Sequence, residues 1–155
     1  MNKTFHVLLA DDDADDRFFF EKVVEKSPIP ARLTTVEDGA ALMVYLSDNV
    51  GHLPDLLFLD LNMPKKNGQE CLQEIKQNEK LKHLPIIIYS TSMDMHVADF
   101  LYNKGAHYYV GKTDFAELRK MLQYVLTLFV EDECAKPPRE KFVLSQFEYV
   151  PLIKR

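Results

Sequence analysis

Along most of this 155-residue chain, short apolar runs alternate with longer segments of helical period, and no other feature restricts the fold as much. Residues 5–10 form an almost unbroken apolar run, the pattern of a strand buried on both faces. Residues 15–26 then carry Phe19, Phe20, Val23 and Val24 at helical spacing and stop before Ser27-Pro28-Ile29-Pro30. The pattern repeats with strands predicted at 33–36, 56–59, 86–89 and 108–110. Helices are predicted at 39–46, 69–77 and 95–103, the last closed by Gly105 as a left-handed cap. A fifth helix is marked by Phe115, Leu118, Leu122, Val125, Leu126 and Phe129. Five β–α units predict an α/β fold: a doubly wound parallel sheet of five strands, with helices on both faces.

Ligands of such sheets bind outside the carboxyl ends of the strands. Asp11, Asp12 and Asp13 follow the first strand, and Asp60 ends the third. Ser90, Thr91 and Ser92 follow the fourth, and Lys112 the fifth. Parallel topology brings these remote positions to one rim. Clustered carboxylates disfavour one another's ionisation unless a cation compensates. Hard oxygen ligands in this number suit Mg²⁺, with Mn²⁺ as the alternative. An EF-hand is excluded, because residues 11–16 contain no glycine and Lys22 stands where the distal glutamate belongs. Asp13, Asp15 and Asp16 read as a solvated helix start, with Asp13 as N-cap. A carboxylate can serve as nucleophile for phosphoryl transfer, and a metal, a lysine and a hydroxyl donor are the parts that neutralise the transferring group.

Four fragments resemble the receiver domain of two-component response regulators, over residues 4–130. They are Leu8-Leu9-Ala10-Asp11-Asp12-Asp13, residues 54–64 (PDLLFLDLNMP) with Gly68, Pro85-Ile86-Ile87-Ile88-Tyr89-Ser90, and residues 105–112 (GAHYYVGK). The chain looks most like stand-alone receivers that serve phytochrome-type or hybrid histidine kinases. The resemblance implies a flavodoxin-like, CheY-like fold. It implies that Asp60 accepts the phosphoryl group, that Mg²⁺ is held by Asp11, Asp12, Asp60 and the backbone carbonyl of Asn62, and that Lys112 pairs with phosphoryl oxygens. Ser90 would swing toward the phosphate, and Tyr109 would turn inward behind it. Asn62 and Ser92 would tune phosphate lifetime. One departure stands out: the family usually has proline after this lysine, whereas here Thr113 follows Lys112, and a trans bond is expected.

The implied partner is a histidine kinase or histidine phosphotransfer protein, with an unknown protein downstream. A homodimer through the helix 4–strand 5–helix 5 face, or through the C-terminal segment, is the further expectation. Formal net charge of −5 argues against nucleic acid as a partner. No apolar stretch reaches membrane-spanning length and no signal peptide is evident, so a cytoplasmic location is expected. Cys71 and Cys134 form no metal or redox motif.

Beyond residue 130 an acidic, proline-containing linker precedes Phe142, Val143, Leu144, Phe147, Tyr149, Val150, Leu152 and Ile153. The expected organisation is a receiver at 1–130 and an extension at 131–155 that docks on its own domain or a second protomer. Phe19 and Phe20 are expected on the sheet; for Phe18 partial burial is expected, with an exposed partner contact as the alternative. A phosphate-independent binding module on the same fold is the alternative function. A phosphatase is disfavoured, since Asn62 stands where a general acid would be needed, and no multi-turnover activity is expected. Phosphate loops are absent.

Overall fold

The computed structural model describes residues 3–91, 93–132 and 136–145. The elements are β1 (Phe5–Ala10), α1 (Ala14–Glu25), β2 (Ala31–Val36), α2 (Gly39–Asp48), β3 (Leu56–Leu59), α3 (Gly68–Gln77), β4 (Ile86–Ser90), α4 (Met95–Asn103), β5 (Tyr108–Gly111), α5 (Phe115–Asp132) and β6 (Val143–Leu144). The strands pair in parallel in the order β2-β1-β3-β4-β5-β6. The sheet therefore has one strand more than the five expected. From β1 the chain moves outward to β2, then crosses back to β3 on the other side of β1. The switch point lies between β1 and β3, and a cleft forms outside their carboxyl ends.

Residues alternate between two cores. Val7, Leu9, Phe58, Ile87 and Tyr89 face α1 and α5, where Phe20 packs edge-on against Phe58 at 5.0 Å between ring centres. Leu8, Leu57, Leu59, Ile86 and Ile88 face α2, α3 and α4. Burial on both faces explains why the central strands read as continuous apolar runs rather than alternating ones. Phe20, Val23 and Val24 are the buried stripe of α1. Phe19 lies about 100° round the helix from Phe20 and is about half exposed, as is Phe18. The expectation that Phe19 packs on the sheet is thus corrected: Phe20, Val23 and Val24 share one arc of α1, and Phe19 falls outside it.

The cap at Gly105 takes the expected form. Its φ is +103°, and the Gly105 and Ala106 amides donate to Tyr102 and Leu101 carbonyls in a Schellman arrangement. The Lys112–Thr113 bond is trans, as no cis peptide occurs among the described residues.

The described part of the C-terminal segment packs on α4 and β5. Phe142 is fully buried beside the rings of Tyr102 and Tyr109, at 5.2 and 6.3 Å. Its carbonyl accepts from the Tyr109 amide. Tyr102 Oη donates to the Pro137 carbonyl, Lys136 Nζ to the Tyr102 carbonyl, and Arg139 pairs with Asp99. Ser92, Cys134 and residues 146–155 lie outside the described residues, so the lifetime role expected of Ser92 and most of the extension are not placed.

Candidate functional site

Each apolar strand ends by delivering polar groups to the rim. Asp11 follows β1 and is fully buried; Asp12, next in sequence, is exposed. Asp60 follows β3 and is 4% exposed. Ser90, the last residue of β4, is buried. Lys112 follows β5, and its amide donates to the Ser90 carbonyl at 2.7 Å, which ties these two strand ends together. Behind Asp60, α3 starts so close to the loop that a Cβ at Gly68 would lie 2.3 Å from the Asp60 carbonyl oxygen. Only glycine permits this approach.

Lys112 Nζ is the centre of the arrangement. It lies 2.9 Å from Asp11 Oδ2, 2.9 Å from Asp16 Oδ2 and 3.2 Å from Asp60 Oδ2. Asp60 Oδ1 accepts from the Asn62 amide at 3.1 Å. Asp11 Oδ1 accepts from the Asp13 amide, and Arg17 donates to the Asp11 carbonyl at 2.8 Å. Burial pushes the Asp11 carboxyl up to about 6, against the opposing pull of Lys112 and the Asp13 amide. For Lys112 burial acts downward, but pairing with Asp11 and Asp16 outweighs it and raises the ammonium above its ordinary value.

One oxygen from each of Asp11, Asp12 and Asp60 falls within 4.8 Å of the others. Asp11 Oδ2, although close to the ammonium, has no aligned hydrogen-bond donor. A buried carboxylate oxygen in that condition, within an all-oxygen donor set, fits a hard divalent cation.

Asp16 is the group that sequence reasoning missed. It was expected to be solvated at the helix start, yet it reaches Lys112. Asp13 is the N-cap, as expected, and accepts from the Asp15 and Asp16 amides. Tyr109 is buried, and its hydroxyl accepts from the Asp94 amide at 3.4 Å. It borders a cleft of about 490 Å³ between the β3–α3 loop and α4, with Leu61, Met63 and Val97 among its lining.

A family model for the response regulator receiver domain matches residues 7–123. The chain belongs to this family. Response regulator Rcp1 of Synechocystis sp. is 33% identical over 130 residues, which cover 81% of this receiver and 88% of Rcp1. The phosphorylated cyanobacterial phytochrome response regulator RcpA superposes with a TM-score of 0.75 at 28% identity, covering 84% of this chain and 96% of that one. The Mn²⁺-bound form of Rcp1 gives 0.71 at 32% identity, covering 86% and 99%. The receiver is thus a phosphoacceptor response regulator with a parallel, CheY-like fold, and its acidic triad is suited to a metal. No helix among the described residues is long and apolar enough to cross a membrane.

Proposed function

We propose that Asp60 is the residue phosphorylated, that the donor is a phosphohistidine on a histidine kinase or phosphotransfer protein, and that Mg²⁺ assists. The observation that carries this reading is the Asp60 carboxylate itself. It is held at the rim by the Asn62 amide and Lys112 Nζ, within reach of the Asp11 and Asp12 oxygens. An Asp60 oxygen attacks phosphorus while the P–N bond to the donor imidazole breaks. The electron pair leaves with the imidazole, which is then protonated. Lys112 offsets charge on the transferring group, and Ser90 supplies a hydroxyl at the adjoining strand end. Asp11, Asp12, Asp60 and the Asn62 carbonyl would hold the cation, which supplies further charge neutralisation.

The new dianion favours an arrangement in which Ser90 and Tyr109 move toward it, changing the α4–β5–α5 face that contacts a downstream protein or a second copy. Asn62 and Ser92 would set how readily water reaches the acyl phosphate. A cytoplasmic location and the lack of multi-turnover activity belong to the same reading.

Acetyl phosphate and Mg²⁺ test it. Wild type should gain about 80 Da by intact mass and Asp60→Asn should not, as aspartyl-phosphate chemistry requires. No gain on wild type would favour a phosphate-independent binding module.

A further inference from the structure

Two of the helices that start at the rim, α1 and α3, open in different ways. At α3, Asn67 accepts from the Glu70 amide, and Glu70 reaches back to the Asn67 amide, closing a capping box. At α1, Asp13 is the N-cap and Asp16 holds the equivalent third position. Here the cap residue's amide is already taken by Asp11 Oδ1 at 3.0 Å. Asp16 is therefore not needed to close a box. Its carboxylate turns to Lys112 Nζ at 2.9 Å, joining α1 to the end of β5.

We propose that Asp16 is a positioning residue for Lys112, holding the ammonium beside Asp60 while phosphoryl transfer takes place; this rests on Asp60 being the acceptor. A bound cation and the Lys112 ammonium would compete for the same carboxylates. Lys112 contacts three carboxylates, and two of them, Asp11 and Asp60, belong to the convergent triad. When those two lend oxygens to a divalent cation, their hold on the ammonium weakens and the like charge repels it. Asp16 is outside the triad and keeps its pairing. With Thr113 rather than proline after Lys112, the following loop does less to fix the lysine. A tether on α1 fills that role.

The sign of the effect separates this from a simple field effect. Removing a negative charge should speed the approach of an anionic donor, whereas losing a tether should slow transfer. Loading by acetyl phosphate at saturating Mg²⁺ is compared in wild type, Asp16→Asn, Lys112→Met and the double variant. Asp16→Asn should slow loading about tenfold, the lower end of what losing an outer partner of a site residue costs. Added to Lys112→Met, it should leave the slower rate unchanged or raise it. A second readout needs no phosphorylation. The Lys112 side-chain ammonium, assigned by its loss in Lys112→Met, should give a slowly exchanging ¹H–¹⁵N signal in the Mg²⁺-bound wild type and lose it in Asp16→Asn. Wild-type loading by Asp16→Asn, or a retained ammonium signal, overturns the proposal. Failure of wild type to load overturns the phosphoacceptor reading instead, and the ammonium signal still reports on Asp16.

Discussion

Lys112 and Lys76 are both drawn partly out of water, and their surroundings treat them oppositely. Lys112 sits among Asp11, Asp16 and Asp60, and its ammonium is held charged. Lys76, near the end of α3, donates to the Lys82 and Leu84 carbonyls at 3.0 and 2.8 Å, and its methylenes pass close to Gly105. Burial lowers it to about 8, and the charge of Lys136 on the C-terminal segment adds to that. Desolvation acts downward on both groups. What differs is the company: full countercharges in one case, carbonyl dipoles and a like charge in the other. The first lysine belongs to an assembly charged for chemistry. The second closes the turn between α3 and β4.

The largest expected effects come from emptying either region. Lys112→Met, in the presence of chelator, should cost about 3–5 kcal/mol of unfolding free energy, because the buried carboxylates lose the ammonium they share. Mg²⁺ should restore part of it. Urea titrations with and without Mg²⁺ measure both, and an unchanged midpoint in chelator would mean the carboxylates do not depend on that ammonium. At the other region, Phe142→Ala should cost about 3–5 kcal/mol, since the ring is fully buried between Tyr102 and Tyr109. A negligible loss would show that the C-terminal segment contributes nothing to the stability of the sheet edge.

A smaller effect comes from pH. The folded Lys76 value of about 8 lies below its ordinary 10.5. Between these, the unfolded chain holds a proton that the folded chain has released, so stability rises with pH across that window. The neutral amine still has two N–H groups, enough for both carbonyl bonds. The gain should be about 1–3 kcal/mol. Lys76→Met should remove the rise, and a wild-type profile that is flat or falling from pH 8 to 10.5 would place the ammonium in water rather than in the fold.

The unequal legibility of the two regions in the sequence has a physical basis. Asp11, Asp60, Ser90 and Lys112 could be read because apolar strands have only one polar edge to deliver them to. Their convergence follows from parallel topology alone. Asp16 could not, because an acid in a first helical turn is already accounted for by capping and the helix dipole. Only the bond from the Asp13 amide to Asp11 shows that it is free to act elsewhere. Lys76 reads as an ordinary lysine near a helix end, and nothing local reveals that the following turn folds over it. Strand β6 is two residues long and follows a proline-containing linker, so it offers no period to detect. Its apolar residues showed that the segment needed cover, and the exposed edge of β5 supplied it.

The finest distinction between the two lysines rests on Lys136. It is attached to the C-terminal segment, donates to the Tyr102 carbonyl, and sits over the Tyr102 ring at 4.0 Å. Its charge is the second cause, after burial, of the lowered Lys76 value. Lys136→Gln should therefore shift the alkaline rise in stability to higher pH while leaving its existence intact. A change in overall stability from the lost Tyr102 contact would displace the whole curve vertically, so the two consequences separate in one series of urea titrations. Phe142→Ala gives the cross-check: if it loosens the segment that carries Lys136, it should move the rise in the same direction. A rise that stays at the same pH in both variants would mean that burial alone sets Lys76, and that the contrast with Lys112 owes nothing to the C-terminal segment.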